Sequence, residues 1–189
     1  KTKIMPISEV PLIGEKNLLN VLAAVGIACK LRVKAKVIRS AVAKFTPAKH
    51  RLQYLGKCKS GAGVIDDSKA TNISSVDMAL ESLQGQDLIL LMGGLNKDCE
   101  FDSLFAKHYP LSKLICFGDA GQYLSDCAKR YGYDSEVFES LENACEFAKN
   151  NSCEGQIVLL SPGCASFDEF SSYAVRGERF KEFMFEENK

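Results

Sequence analysis

Apolar positions recur at helical spacing from the start of the chain. Over residues 17–31, Leu18, Leu22, Val25 and Cys29 fall on one face, which predicts an amphipathic helix. A second helix is expected over 34–44, with Val37, Ala41 and Phe45 turned inward and Pro47 ending it. Past Pro47 the period changes. Residues 51–58 and 63–67 read as short strands joined by a turn that carries Gly61 and Gly63. Helical patterns over 74–83, 102–108, 121–131 and 141–150 then alternate with strand patterns over 88–92, 113–117, 136–138 and 156–160. A last helix is expected over 168–185.

Strands that alternate with helical crossovers predict an α/β fold. The expectation is a three-layer Rossmann-like domain with a mainly parallel sheet of about six strands. The runs 88–92 and 157–160 are continuously apolar, as strands covered on both faces should be. The change of period places a boundary near 44–47, so a helical segment over 1–44 precedes an α/β domain over 45–189.

Composition narrows the function classes. Hydrophobic residues are 46% and charged residues 25% of 189 positions, the balance of an ordinary globular chain. Lys plus Arg equals Asp plus Glu at 24 each, so no net charge favours nucleic acid or an anionic membrane as partner. No apolar stretch approaches the roughly 20 residues needed to span a bilayer. The eight cysteines include no C-x-x-C pair, and only His50 and His108 could join them. They read as buried, reduced thiols of a cytoplasmic protein, not as metal ligands.

Candidate chemistry sits where open α/β sheets bind ligands, beyond the carboxyl ends of the strands. Residues 66–72 (Asp-Asp-Ser-Lys-Ala-Thr-Asn) follow one strand, 93–98 (Gly-Gly-Leu-Asn-Lys-Asp) a second, and 161–169 (Ser-Pro-Gly-Cys-Ala-Ser-Phe-Asp-Glu) a third. Lysines, hydroxyls and helix starts on one rim suit a small anion, a phosphate or a carboxylate. Each piece also has a local account. Thr71 or Asn72 can cap the following helix, and Ser166 with Glu169 has the form of a capping box. Gly93-Gly94 can serve a turn alone, and His50-Arg51 a solvated surface pair. Asn17 and Asn20 share a helix face that suits solvent or an adenine edge. Neither G-x-G-x-x-G nor G-x-x-x-x-G-K-[ST] occurs, which argues against a dinucleotide oxidoreductase and leaves no triphosphate cradle. A non-catalytic Rossmann-like module that binds a small acidic ligand is the competing reading.

Together the segments resemble the Mur ligases. The resemblance rests on Asp67-Ser-Lys-Ala-Thr-Asn72, on Leu-Met-Gly-Gly-Leu-Asn-Lys97 and on Leu-Ser-Pro-Gly-Cys-Ala-Ser-Phe-Asp-Glu-Phe followed by Arg176-Gly177-Glu-Arg-Phe180. Gly14-Glu-Lys-Asn17-Leu-Leu-Asn20 looks like the end of that family's central ATPase domain, so 1–44 would be its tail and 45–189 the C-terminal, amino-acid-binding domain. The resemblance implies an ATP-dependent ligase of peptidoglycan precursor synthesis. ATP would phosphorylate UDP-N-acetylmuramoyl-L-alanine, and the amine of D-glutamate would attack the acyl phosphate, with Mg²⁺ on the phosphates. By matching motif positions, Lys97, Thr71, Ser166 and the backbone at Tyr173 would hold D-glutamate, with Lys69 beside them. Arg51 would reach the ATP phosphates, Asp67 the ribose, and Asn17 and Asn20 the adenine. Lys16 stands where the family usually has His, and Tyr173 where it often has Phe. The phosphate loop and the Mg²⁺ ligands belong to the part of such ligases that this sequence does not contain. The chain alone is therefore expected to be inactive, with no catalytic residue and no metal ligand of its own.

Overall fold

Six strands, β1 (Gln53–Lys57), β2 (Gly63–Asp66), β3 (Asp87–Gly93), β4 (Lys113–Phe117), β5 (Ser135–Phe138) and β6 (Gln156–Gly163), form one sheet in the order β1-β2-β6-β3-β4-β5. The structure is a computed structural model and describes residues 3–12, 14–46, 48–95 and 100–186. The hairpin β1–β2 is antiparallel, and the other neighbouring strands pair in parallel. The helices are α1 (Glu15–Lys30), α2 (Ala35–Ala43), α3 (Ile73–Ser82), α4 (Asp102–Phe105), α5 (Gly121–Arg130), α6 (Leu141–Asn150) and α7 (Tyr173–Phe185).

The sheet is the middle of three layers. On one face Leu88, Leu90 and Met92 of β3, Leu114 and Cys116 of β4 and Leu159 of β6 pack with α3, α4 and α5. On the other, Ile89, Leu91, Ile115, Phe117, Val158 and Leu160 pack with α6 and α7. Successive side chains of one strand serve opposite cores, and that is why 88–92 and 157–160 carry no polar position. These two runs are the central pair β3 and β6.

Three elements depart from the sequence expectation. The last helix starts at Tyr173, not 168, because the hydroxyl of Ser172 accepts a bond from Val175 N and caps it there. Helix α4 stops at Phe105, shortly before His108 takes a left-handed φ of 50° ahead of Pro110. In the helical segment, Val21, Val25 and Ala28 of α1 face Ile38 and Val42 of α2 across an apolar groove of about 370 Å³. Val37, Ala41 and Phe45, expected inward, do line this groove, but Val37 and Phe45 stay 56% and 55% exposed. Leu22 (52%) and Cys29, also expected inward, are exposed and do not line it. The two helices alone offer too little surface to bury a whole apolar stripe on each. Pro47, placed at the end of the second helix, lies outside the described residues.

The cysteines mostly follow the expectation. Cys58, Cys116, Cys127, Cys145 and Cys164 are buried thiols outside any disulfide, whereas Cys29 and Cys153 are exposed, and Cys99 is outside the described residues. Burial pushes the Cys116 thiol up to about 12, which leaves it protonated and inert. Among the described residues, no helix is long and apolar enough to cross a membrane.

Candidate functional site

The sheet topology creates a crevice. After β2 and β3 the chain crosses to α3 and α4 on one face, whereas after β6 it turns to α7 on the other. Loops that leave neighbouring strands toward opposite faces open a gap at the strands' carboxyl ends. Segments 66–72 and 161–169 lie there, as do the described residues 93–95 of the third, and the chain fastens them to one another. Gly163 N donates to Ala70 O at 2.8 Å, and Leu95 and Ala165 exchange backbone bonds of 2.9 and 3.1 Å. Gly94 is required at this junction: a Cβ would stand 2.2 Å from Ala165 O, on a backbone with φ of 115°.

Arg176, from the first turns of α7, is the bolt. It is fully buried and donates from Nε to Ser68 Oγ (3.0 Å) and from Nη2 to Ser68 O (2.9 Å). Nη2 also reaches Cys164 O, and Nη1 reaches Ala165 O, both at 3.1 Å. Ser68 Oγ in turn donates to Tyr173 O at 2.8 Å. Burial lowers the Arg176 pKa to about 10, so the guanidinium stays charged near neutrality. Sequence reasoning gave Arg176 no role. The available signal was its spacing, since Arg176, Phe180 and Met184 recur at i, i+4 and i+8 and all point into the core.

Two buried carboxylates hold the turn before β1. Asp66 accepts from Ser68 N at 2.8 Å through Oδ1 and pairs with His50 Nδ1 at 2.6 Å through Oδ2. His50 is therefore not a solvated partner of Arg51, as expected from the sequence, but a buried residue at 6% exposure. Asp67 accepts from Leu52 N (3.1 Å) and from Ser161 Oγ (2.9 Å). Burial raises its pKa to about 7, against the pull of those two bonds.

The predicted amino-acid residues gather on this rim, with one beyond the described residues. Thr71 is half-buried after β2, directly beyond Ala70, which is bonded to the end of β6. Ser166 is buried at the end of the β6 loop, and its carbonyl accepts from Phe170 N at 2.7 Å. It does not begin α7, and it forms no capping box with Glu169. The Glu169 carboxylate instead accepts from Leu141 N, the first residue of α6, at 3.1 Å through each oxygen. Asn72, not Thr71, caps α3, accepting from Ser75 N at 3.0 Å. Tyr173 is the first residue of α7, with its ring 5.4 Å from Lys69 Nζ. Lys97 lies outside the described residues. Asp168, also missed from sequence, turns one carboxylate oxygen toward Asp119 N at 3.3 Å. Its other oxygen is buried and has no hydrogen-bond partner among the described residues.

The nucleotide residues fall in a separate place. Asn17, Asn20 and Arg51 line a cleft of about 590 Å³ between α1 and β1, with Leu12, Phe45 and Tyr54 as apolar walls. Asp67 lies behind this cleft, holding Leu52 in position. No cluster of three or more His, Cys, Asp or Glu among the described residues is suited to hold a metal ion.

A doubly covered, mainly parallel sheet with a crevice at the carboxyl ends of β2, β6 and β3 defines a Rossmann-like α/β domain. The chain belongs to the family described as Mur ligase, glutamate ligase domain, whose model matches residues 50–164. The UDP-N-acetylmuramoylalanine--D-glutamate ligase of Enterococcus hirae is 38% identical over 181 residues, covering 95% of this chain and 39% of that protein. The ligase of the same name from Rubrobacter xylanophilus is 38% identical over 173 residues, 91% of this chain and 39% of that protein. The chain thus spans about two fifths of the length of the curated relatives it matches. Among solved structures, UDP-N-acetylmuramate-alanine ligase MurC from Thermotoga maritima superposes with a TM-score of 0.68 at 16% identity, over 90% of this chain and 38% of that one. MurF from Acinetobacter baumannii gives 0.67 at 20% identity, over 90% and 39%. At these identities the structural likeness concerns the fold.

Proposed function

We propose that the chain is the C-terminal part of a cytoplasmic, ATP-dependent ligase that joins D-glutamate to UDP-N-acetylmuramoyl-L-alanine in peptidoglycan precursor synthesis. In this reading residues 1–44 are the tail of a central ATPase domain, and 45–189 form the amino-acid-binding domain. The helical elements end at Ala43 and the sheet begins at Gln53, which suits that division. The observation that carries the function is the Arg176 bolt. It locks the loops after β2 and β6, which carry Thr71 and Ser166, to the first turn of α7, which begins at Tyr173. D-Glutamate presents two carboxylates. Hydroxyls, a helix start and the ammonium group of Lys69 would supply matching donors, and Lys97, beyond the described residues, is assigned the second cation from its motif position.

This chain's residues would bind and orient; the phosphate loop and the Mg²⁺ ligands would come from the rest of the enzyme. ATP, when bound, supplies the phosphoryl group that activates the acceptor carboxylate. In this reading Arg51, exposed at the 590 Å³ cleft, would meet its phosphates, and Asn17 and Asn20, which line the same cleft, the adenine. Asp67 is assigned to the ribose. The rim residues hold the amino acid so that its amine meets the acyl group as a near-neighbour instead of by free collision.

The test is amino-acid scope. In the full-length protein, phosphate release that depends on UDP-N-acetylmuramoyl-L-alanine should run at least about 100-fold faster with D-glutamate than with an amino acid lacking the second carboxylate. Equal or faster turnover with L-lysine or L-alanine would overturn the assignment.

A further inference from the structure

We infer that His50 is a positioning residue that couples the nucleotide-side cleft to the amino-acid rim, setting Arg51 and Lys69 in one geometry. The inference deepens the reading above and rests on its assignment of those two cations. His50 is 6% exposed and sits in a left-handed conformation, φ 61°. A non-glycine residue persists there only when its surroundings over-determine it. They do so on every side. Nδ1 is 2.6 Å from Asp66 Oδ2, and Nε2 is 3.8 Å from Glu178 Oε1. The backbone N donates to Gln53 Oε1 at 3.0 Å. Gly177 of α7 leaves room for the ring: a Cβ there would lie 2.2 Å from His50 Nδ1.

From this seat His50 reaches both sides. On the nucleotide side it is joined directly to Arg51. The left-handed residues His50 and Leu52 (φ 42°) flank Arg51 in a tight turn, and that turn leaves Arg51 exposed at the cleft. On the rim side, its carbonyl accepts from Lys69 N at 3.0 Å. Its ring also meets Tyr173 edge-on, with centroids 6.3 Å apart, and that same Tyr173 ring lies 5.4 Å from Lys69 Nζ. Displacing the imidazole would therefore move a phosphate-side cation and a carboxylate-side cation together. A misplacement of about 1 Å is enough to cost orders of magnitude in such sites.

Two substitutions separate positioning from packing. Glycine keeps the left-handed backbone and removes the side chain, whereas asparagine tolerates the same φ and places an amide N–H where Nδ1 stands. In the full-length ligase, His50→Gly should raise KM for both ATP and D-glutamate by about tenfold, and His50→Asn should return both to within about threefold. A residue that only packs would lower the melting temperature and the active fraction in His50→Gly while both KM values stay put. That result, or a change in one KM without the other, overturns the coupling. A second measurement does not depend on the ligase reaction. In the 189-residue chain, His50→Gly should speed hydrogen exchange of the Lys69 amide by about tenfold or more, and His50→Asn should not. If the wild-type full-length protein makes no amide with D-glutamate, the reading of function fails by itself. The Lys69 exchange rate then decides the coupling: an unaltered rate in His50→Gly rejects it.

Discussion

The strand-end rim and the α1–α2 pair are built on opposite terms. At the rim, five polar side chains are buried and partnered inside the chain, whereas one oxygen of Asp168 is buried without a hydrogen-bond partner among the described residues. Arg176, Asp66, Asp67, Ser68 and Ser161 are each 5% exposed or less, and each has named hydrogen bonds. In α1–α2 it is apolar groups that are exposed, with Ile27 at 63% and Leu31 at 73%, and α2 buries only Ile38 among its described residues. A satisfied buried network rigidifies whatever it holds, since any shift leaves a costly unpaired group. The α1–α2 pair lacks that restraint. The contrast teaches that the geometry of the rim, proposed as the amino-acid side, is set within this chain, whereas the helical wall of the proposed nucleotide cleft lacks such internal restraint.

The strongest attempt to break this contrast removes the bolt. Arg176→Met should destabilise the sheet domain by about 3–5 kcal/mol, because four bonds vanish and buried carbonyls lose their donors. Urea unfolding measures it. A cost below about 1 kcal/mol would mean the rim is not held by this network.

The next test uses pH. The Asp67 pKa of about 7 in the folded chain stands above its ordinary 3.8, so between those values the native state holds a proton that the unfolded chain has lost. The stability from this group is full below about pH 4 and is lost as pH rises to about 7. At about 1.4 kcal/mol per pKa unit, the loss is at most about 4 kcal/mol. Asp67→Asn keeps an acceptor for Leu52 N and removes the charge. It should be more stable than wild type at pH 8, by about 2–4 kcal/mol, with the gap closing toward pH 4. Thermal unfolding across that range checks the slope; parallel curves for the two proteins would remove Asp67 as the cause.

A smaller change sharpens the contrast from the other side. Gly26 lies inside α1, and a Cβ there would meet nothing within 4 Å. Gly26→Ala should therefore stabilise α1 by about 0.8–1 kcal/mol, the difference in helix propensity, with the sheet domain unaffected. Hydrogen exchange within α1 against exchange within β3 reads the two regions separately.

Much of the fold was legible because two patterns carried it. The apolar runs of β3 and β6 marked the central strands, and the β–α alternation after Pro47 marked the parallel sheet. The site was legible as loops at strand ends. It was not legible as a network, because hydrogen bonds between residues about a hundred positions apart, such as Ser68 with Arg176, leave no local periodicity. The same limit hid His50, whose neighbour Arg51 suggested a surface pair while Asp66 drew the ring inward. Ser166 with Glu169 had the spacing of a capping box, yet tertiary contacts took Glu169 to α6 and left the cap of α7 to Ser172. The inward face of α1 was right at Val25 and wrong at Leu22 and Cys29, because a heptad-like pattern does not say which face finds a partner.

The central claim is that the rim binds the amino acid and the α1–β1 cleft the nucleotide. Because Ser172 and not Ser166 caps α7, Ser166→Ala tests ligand binding without removing a helix cap. Steady-state kinetics of the full-length ligase should divide the variants cleanly. Lys97→Ala and Ser166→Ala should raise KM for D-glutamate by about 10–100-fold, the worth of a bond to a charged group, while KM for ATP moves less than about threefold. Asn20→Ala should do the reverse. If the rim variants leave KM and kcat for D-glutamate unaltered, or if Asn20→Ala raises KM for D-glutamate in place of ATP, the division of labour between the two regions is wrong.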